Sequence, residues 1–175
     1  MGFKMLRGVM AALALASAAL VFGPVRAAEP DESLLQVHGG VFDIRTASRW
    51  RTGEFGVAWQ PSHKLWIFKP HVGALVTLDS SAYAYAGLLT DIDLSPRLVL
   101  TLSTAAGAWR QGDGKSLGNA VEFRSGFDLA YRFHDQTRLG LGLYHMSNAG
   151  LGDKNPGEET VQVSYAVPLK WLFGP

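Results

Sequence analysis

The most constraining feature of this sequence is a regular alternation of apolar and charged side chains between residues 121 and 133. Odd positions in this segment are almost all aliphatic or aromatic, whereas the even positions carry its charges. Successive side chains of a β-strand point to opposite faces, so the segment predicts a strand with one apolar face. The charged residues of the other face are Glu122, Arg124, Asp128 and Arg132.

Similar segments recur along the chain and are separated by turn residues, which is typical of an all-β fold. No stretch after Ala27 is long and apolar enough to form a transmembrane helix. We therefore predict eight antiparallel strands. The expected strands are Leu34–Asp43, Gly53–Trp59, Leu65–Leu78, Ala82–Leu94, Leu98–Trp109, Val121–Phe133, Thr137–Ser147 and Glu159–Lys170.

The composition excludes several classes of protein. The 175 residues are 47% hydrophobic and 18% charged, with a net charge of +1 and no cysteine. The small net charge argues against a nucleic-acid partner. The absence of cysteine excludes a disulfide scaffold, a thiol nucleophile and a cysteine-ligated metal. A mean hydropathy of +0.08 argues against a multi-helix membrane protein and suits a barrel whose strands each have one polar face.

Alternating strands fit a soluble barrel with its apolar faces inside, or a membrane barrel with those faces toward lipid. Three features favour a transmembrane β-barrel of the bacterial outer membrane. Strands of about ten residues suit a tilted crossing of the bilayer, and the connections at one end are mostly longer than those at the other. Aromatic residues also gather near strand ends, where they are expected to form interfacial girdles. These are Trp50, Trp59, Trp66, Trp109, Tyr131, Phe133, Tyr144, Trp171 and Phe173.

In a membrane barrel the charged face of each strand lines the interior. A charge on the lipid face at mid-bilayer costs roughly 2–4 kcal/mol, and side chains fill the lumen of an eight-stranded barrel. We therefore expect Glu122, Arg124, Asp128 and Arg132 to form a paired network inside the lumen.

The N-terminal segment predicts a secretory signal peptide over residues 1–27. Lys4 and Arg7 precede an apolar run, and Val25 and Ala27 suit the positions before a cleavage site. Residues 28–175 would then form the barrel, in the outer membrane.

Three polar residues interrupt the apolar face near the C-terminus. In the seventh strand the face that carries leucines continues with His145 and Ser147, and in the eighth strand the same face begins with Glu159. Paired strands would bring these side chains together on the lipid side of one hairpin. Serine, histidine and a carboxylate form the catalytic group of many hydrolases. The alternative is that all three are ordinary polar residues of the membrane interface.

The height of this group in the membrane can be estimated from strand geometry. The eight steps from Thr137 to His145 rise about 26 Å along the strand, or roughly 20 Å along the membrane normal after tilting. The group would then face the level of the outer leaflet at which acyl esters of lipids lie.

Residues 145–151 (HMSNAGL) and 155–159 (NPGEE) together resemble the signature of PagL-type lipid A deacylases. That family consists of eight-stranded outer-membrane barrels that hydrolyse the 3-O-linked acyl ester of lipid A. The resemblance implies that Ser147 is the nucleophile, His145 the general base and Glu159 the acid that orients the histidine. The active site would lie on the hairpin of strands seven and eight, facing the outer leaflet.

The resemblance also implies that Asn148 and backbone amides near Gly150 form the oxyanion hole, with Asn155 supporting the loop. It implies no metal and no cofactor, and the remaining histidines are scattered along the chain. Expected partners are lipopolysaccharide as substrate and outer-membrane lipids, with no nucleic acid. A homodimer stays open.

Other functions compete with this esterase. A small structural or adhesive barrel would have no catalytic group, although the loops are short for adhesion. Another outer-membrane lipid enzyme, such as a phospholipase or an acyl transferase, is a further alternative, and a calcium-dependent phospholipase would need a metal and a dimer. A secreted lipocalin-like binder would be soluble without detergent.

Overall fold

The computed structural model describes residues 32–45 and 48–174, and its eight strands form one closed antiparallel barrel. Each strand pairs with its neighbour in sequence, and the first strand pairs with the eighth to close the ring. The prediction of an eight-stranded barrel is confirmed, whereas the predicted signal peptide at residues 1–27 lies outside the described residues. The strands are β1 (Leu34–Phe42), β2 (Thr52–Gln60), β3 (Lys69–Thr77), β4 (Ala82–Ser95), β5 (Leu98–Arg110), β6 (Val121–Arg132), β7 (Arg138–Ser147) and β8 (Glu158–Pro168).

The alternation in the sequence determines which side chains of each strand face outward. In β7 the side chains of Leu139, Leu141 and Leu143 are exposed, and the residues between them are buried. The other strands show the same pattern, so an apolar coat surrounds an interior that holds polar and charged side chains together with a cluster of buried apolar and aromatic ones. This arrangement suits a barrel surrounded by lipid. Among the described residues, no helix is long and apolar enough to cross a membrane.

The charged residues predicted to line the lumen do point inward, but they bond to residues outside the predicted set. Three hydrogen bonds are Arg124 Nη2 to Gln162 Oε1 (2.8 Å), Ser164 Oγ to Asp128 Oδ2 (2.8 Å) and Arg132 Nη2 to Asp93 Oδ1 (2.6 Å). The fourth residue, Glu122, is fully buried, and its carboxylate accepts no hydrogen bond from the described residues. The predicted network therefore extends over more strands than the sequence pattern indicated.

A second group of lumen charges surrounds Asp91 in β4. Its carboxylate accepts hydrogen bonds from Lys69 Nζ at 2.6 Å, Arg138 Nη1 at 3.0 Å and Thr101 Oγ1 at 2.6 Å. Because Lys69 begins β3 and Arg138 begins β7, this group ties opposite parts of the barrel wall together near one end.

Two strand boundaries differ from the prediction. β3 begins at Lys69, because Leu65 and Phe68 bond to each other in a tight turn with Trp66 at a positive φ of 63°. β8 ends at Pro168, and a short helix, α1 (Leu169–Phe173), follows it. Proline has no amide proton to donate to the next rung of the ladder, which favours an end of the strand there.

Two of the aromatic residues expected at the membrane interface instead point into the barrel. Trp109 stacks on Phe42 with ring centroids 5.5 Å apart, and the guanidinium of Arg124 lies 3.7 Å from the centroid of the Tyr144 ring. Both side chains are 7% exposed. The prediction of an interfacial position was wrong for these two residues because their position along the strand indicated an interface, whereas their parity places them inside.

The connections differ between the two ends of the barrel. One end carries residues 43–51, 78–81, 111–120 and 148–157, and we call it the site end. The opposite end carries the connections at 61–68, 96–97 and 133–137, of which the first is longer than predicted. Mostly longer loops at one end and shorter turns at the other is the arrangement of outer-membrane barrels.

Candidate active site

The pairing of β7 with β8 places His145 directly opposite Glu159 at the site end. Their Cα atoms are register partners, and His145 Nδ1 lies 3.2 Å from Glu159 Oε1. Both side chains point outward, with 47% and 32% of their surfaces exposed. When Nδ1 carries the proton it donates to the carboxylate, and the other ring nitrogen, Nε2, is then a base.

Ser147 lies two residues beyond His145 on the same face of β7. It is the last residue of the strand, and its side chain is half-buried. Within the described residues, no hydrogen bond joins Ser147 to His145. Catalytic hydrogen bonds are often long in a ligand-free enzyme and shorten when substrate binds. The structure thus brings the histidine and the carboxylate into contact and places the serine nearby.

Arg45 is a further residue of the site that the sequence analysis did not identify. Its guanidinium contacts Glu159 at two points, Nε to Oε2 and Nη2 to Oε1, the second at 2.9 Å. Its Nη1 donates to the carbonyl of Pro156 at 2.6 Å. Burial is slight here, and the hydrogen bond to Glu159 raises the pKa of Arg45, so the guanidinium stays cationic.

Closure of the barrel brings Arg45 to this position. The pairing of β1 with β8 extends past the end of β1, where the Ile44 amide donates to the Glu159 carbonyl at 2.9 Å. Arg45 is the next residue, so its side chain begins close to the carboxylate. This contact could be predicted only from the pairing of the first strand with the last. An interpretation that treats one hairpin at a time does not include that pairing.

Asn148, Gly150 and Asn155, which were expected to form or support an oxyanion hole, lie in one hydrogen-bonded turn after β7. Both amide protons of Asn148 are used, because Nδ2 donates to the carbonyls of Leu117 and Lys154, each at 2.8 Å. Asn148 Oδ1 accepts the Gly150 amide at 2.9 Å, and Asn155 Oδ1 accepts the Asn148 amide at 3.1 Å. In this conformation the three residues hold the loop, and the Asn148 side chain has no proton left for a substrate.

The Ala149 amide differs from its neighbours in this turn. It donates no hydrogen bond to any of the described residues, whereas the amides of Asn148, Gly150 and Leu151 all do. Ala149 also has a positive φ of 53° and is exposed. The Ala149 amide is therefore a backbone donor, two residues after Ser147, that has no acceptor among the described residues.

The loop that carries these residues is held by the β5–β6 connection, its neighbour around the barrel mouth. Leu117, in the β5–β6 connection, is fully buried, and its carbonyl accepts the hydrogen bond from Asn148 Nδ2. In the same connection Lys115 Nζ donates to the buried carboxylate of Asp43 at 2.8 Å. Three connections are thus bonded together at the site end, which fixes the end of β7.

Gly157 fits closely between the charged groups of the site. Its φ is +59°, and a Cβ added there would lie 3.1 Å from His145 Cε1 and 3.3 Å from Arg45 Nη2. The backbone before Glu159 thus favours glycine for its positive φ, and a Cβ there would also require His145 and Arg45 to shift by a few tenths of an ångström.

The described residues contain no group of three histidine, cysteine or acidic side chains placed to hold a metal ion. The assembled groups are a serine, a histidine that contacts a carboxylate, and a free backbone donor. Such a set can cleave an ester by nucleophilic attack.

Two sequence comparisons identify relatives of this chain. A family model described as lipid A 3-O-deacylase (PagL) matches residues 42–168. The lipid A deacylase PagL of Bordetella bronchiseptica is 37% identical over 51 residues, which are 29% of this chain and 29% of that protein. The chain thus aligns with less than a third of the length of this curated relative.

Solved structures show the same barrel fold at low sequence identity. The outer membrane enzyme PagL superimposes with a TM-score of 0.59 at 16% identity, covering 77% of this chain and 99% of that one. A de novo designed transmembrane β-barrel gives a TM-score of 0.59 at 14% identity, covering 81% and 98%. Neisserial surface protein A gives 0.51 at 12% identity, covering 82% and 99%.

Proposed function

Because this chain belongs to the lipid A 3-O-deacylase (PagL) family, we propose that it is an outer-membrane esterase that removes the 3-O-linked acyl chain of lipid A. The observation that carries the proposal is the contact between His145 and Glu159 beside Ser147, on the outward face of a lipid-exposed hairpin. A charged and hydrogen-bonded group on an otherwise apolar surface does not serve packing against lipid, because polar side chains on the lipid face destabilise a barrel. A lipid ester can reach it directly from the membrane.

The proposed reaction has two steps, with Ser147 as nucleophile. Its Oγ bonds to the ester carbonyl carbon while its proton passes to His145 Nε2. The bond between that carbon and the 3-oxygen of the sugar then breaks, and the sugar oxygen takes the proton from the histidine. Water next attacks the acyl-serine with the same histidine as base, which releases a fatty acid and restores the serine. Glu159 keeps the Nδ1 proton in place throughout.

The oxyanion of each tetrahedral intermediate needs a hydrogen-bond donor. We assign this role to the Ala149 amide, because the side chain of Asn148 and the amide of Gly150 already have partners. Donors of this kind are commonly worth about 3–4 kcal/mol of transition-state stabilisation. Asn148, Gly150 and Asn155 support this donor by fixing the turn.

The site is proposed to face the outer leaflet, where lipid A lies. The mostly longer connections at the site end support this orientation, because outer-membrane barrels have short turns on the periplasmic side. The height estimated from the strand geometry agrees with it. His145 lies seven residues from the start of β7 at Arg138, or about 23 Å along the strand at about 3.3 Å per residue.

Mass spectrometry of lipid A from cells that express the protein tests the proposal. Wild type should release one 3-O-linked acyl chain, and Ser147→Ala, His145→Ala and Glu159→Ala should each lose most or all of this activity while the barrel still inserts. Ser125→Ala is the matched control, because Ser125 is the register partner of His145 on the neighbouring strand. It should keep its activity.

Two results would overturn parts of the proposal. Full acylation in cells that contain folded wild-type protein would favour a non-catalytic barrel. If activity survives Ser147→Ala but is lost in Ser125→Ala, the nucleophile lies on β6 and its assignment to Ser147 is wrong. Retained activity in the presence of a chelator would separate this esterase from a calcium-dependent phospholipase.

A further inference from the structure

The Glu159 carboxylate, which contacts His145, also binds the guanidinium of Arg45. Arg45 follows β1, the strand that closes the barrel by pairing with β8. Glu159 Oε1 lies 3.2 Å from His145 Nδ1 and 2.9 Å from Arg45 Nη2, while Glu159 Oε2 accepts a bond from Arg45 Nε. β7, β8 and the end of β1 therefore contribute to one chain of contacts. The sequence predicted His145 and Glu159 in this chain of contacts and did not predict Arg45.

We propose that Arg45 is a positioning residue of the esterase, which locks the Glu159 carboxylate in the orientation that His145 needs. This inference rests on the proposed function. Arg45 does not touch the reacting atoms in this scheme and acts through Glu159 alone.

The need for such a lock follows from the exposure of the group. The Glu159 side chain is 32% exposed, and Glu159 is the second residue of β8. A carboxylate in that position can rotate and be solvated by water, so its contact with the imidazole would be intermittent. A guanidinium that binds both carboxylate oxygens holds the plane of the group, which a single hydrogen bond from His145 cannot do.

A contribution to stability does not account for this ion pair. Its partners are 41% and 32% exposed, and exposed ion pairs contribute little to folding. The contact to Pro156 also ties the guanidinium to the backbone that leads into β8. Arg45 is therefore held in place by the loop and in turn holds Glu159.

Arg45 could instead bind an anionic part of the substrate, such as a phosphate. The geometry favours the positioning role, because all three guanidinium nitrogens already have acceptors within the protein, two on Glu159 and one on Pro156. These three bonds use three of the five N–H donors of the guanidinium, so a phosphate could bind the other two and the two roles have to be separated by experiment. The two roles differ in whether the effect of Arg45 depends on Glu159.

Steady-state kinetics with purified lipopolysaccharide in detergent micelles can separate these roles. Arg45→Met should lower kcat by about 10- to 100-fold, which is the loss seen when a residue that orients a metal ligand is removed, and KM should change little. Arg45→Lys should recover only part of the loss, because an ammonium cannot bind both oxygens in one plane. Heat-modifiable migration on gels checks that each variant forms a barrel.

The matched control is Arg49→Met. Arg49 lies in the same connection, carries the same charge and contacts the ring of Trp50 at 4.7 Å. It should keep the kcat and KM of wild type. If Arg45→Met itself does not form a barrel, the Arg45→Lys variant carries the test by its lower kcat at unchanged KM.

The deciding measurement is a double-mutant cycle with Glu159→Gln. If Arg45 acts through Glu159, then adding Arg45→Met to Glu159→Gln causes no further loss of kcat. A further loss in that background, or a raised KM with unchanged kcat, would overturn the inference and favour substrate binding. An active wild type with an equally active Arg45→Met would refute this inference alone, whereas an inactive, folded wild type would refute the proposed function.

Discussion

At the scale of single residues, Asn148 shows how one side chain can hold the mouth of a barrel together. Its amide bonds to carbonyls in two different connections, and one of these belongs to the fully buried Leu117. We predict that Asn148→Ala lowers the free energy of unfolding by about 1–3 kcal/mol, because a buried carbonyl loses its donor. Urea unfolding in detergent, followed by tryptophan fluorescence, measures this change.

The same variant distinguishes support of the loop from direct catalysis. If Asn148 only supports the turn, the loss of activity in Asn148→Ala accompanies faster proteolysis of the 148–157 connection. Asn155→Ala removes one hydrogen bond, to the Asn148 amide, and should show a smaller effect on both. An Asn148→Ala protein that is as stable as wild type yet inactive would restore the direct oxyanion role to this side chain.

Parity along the strand was sufficient to predict that His145, Ser147 and Glu159 share a face, because the faces of a strand alternate with period two. The direct pairing of His145 with Glu159 then followed from the antiparallel hairpin. Arg45 was not predictable in this way, since it lies 114 residues from Glu159 in sequence. Its position depends on the register with which the first strand closes on the last.

At the scale of secondary-structure elements, β5 shows why the pattern misplaced an aromatic residue. Alanine occurs on both faces of its upper half, as Ala105 inside and Ala106 and Ala108 outside. Hydrophobicity therefore does not distinguish the faces there, and the position of Trp109 near the strand end predicts an interfacial residue. In the closed barrel Trp109 fills the lumen against Phe42.

The inward position of Trp109 predicts a large effect on stability. Trp109→Ala should lower the free energy of unfolding by about 3–5 kcal/mol, because it removes a buried aromatic side chain and leaves a cavity. Trp66→Ala is the matched control, since the same side chain is 84% exposed in the β2–β3 turn, and its effect should be much smaller. Equal effects of the two substitutions in urea unfolding would contradict the assignment of Trp109 to the core.

At the scale of the whole molecule, the barrel separates the charges that stabilise it from the charges of the proposed site. The Asp91 group lies near the end opposite the site, where β3 and β7 begin. The site group of His145, Glu159 and Arg45 lies on the outer surface at the other end. Alternation along the strands produces this division. Neighbouring residues of a strand point to opposite faces, so the inward-facing and outward-facing side chains are different residues along the whole strand.

This division predicts that a lumen charge can be removed at a cost to stability and not to catalysis. Asp91→Asn removes the negative charge that Lys69 and Arg138 both contact, and breaking such a buried group costs about 3–5 kcal/mol. The kcat of the folded variant should equal that of wild type, because Arg138 and His145 lie about 23 Å apart along β7. Urea unfolding and micelle kinetics on the same preparation give the two quantities. The control is Asp113→Asn, on an exposed loop residue, and it should change neither quantity. A folded Asp91→Asn barrel with a greatly reduced kcat would instead show that the lumen charges and the site are coupled through the barrel wall.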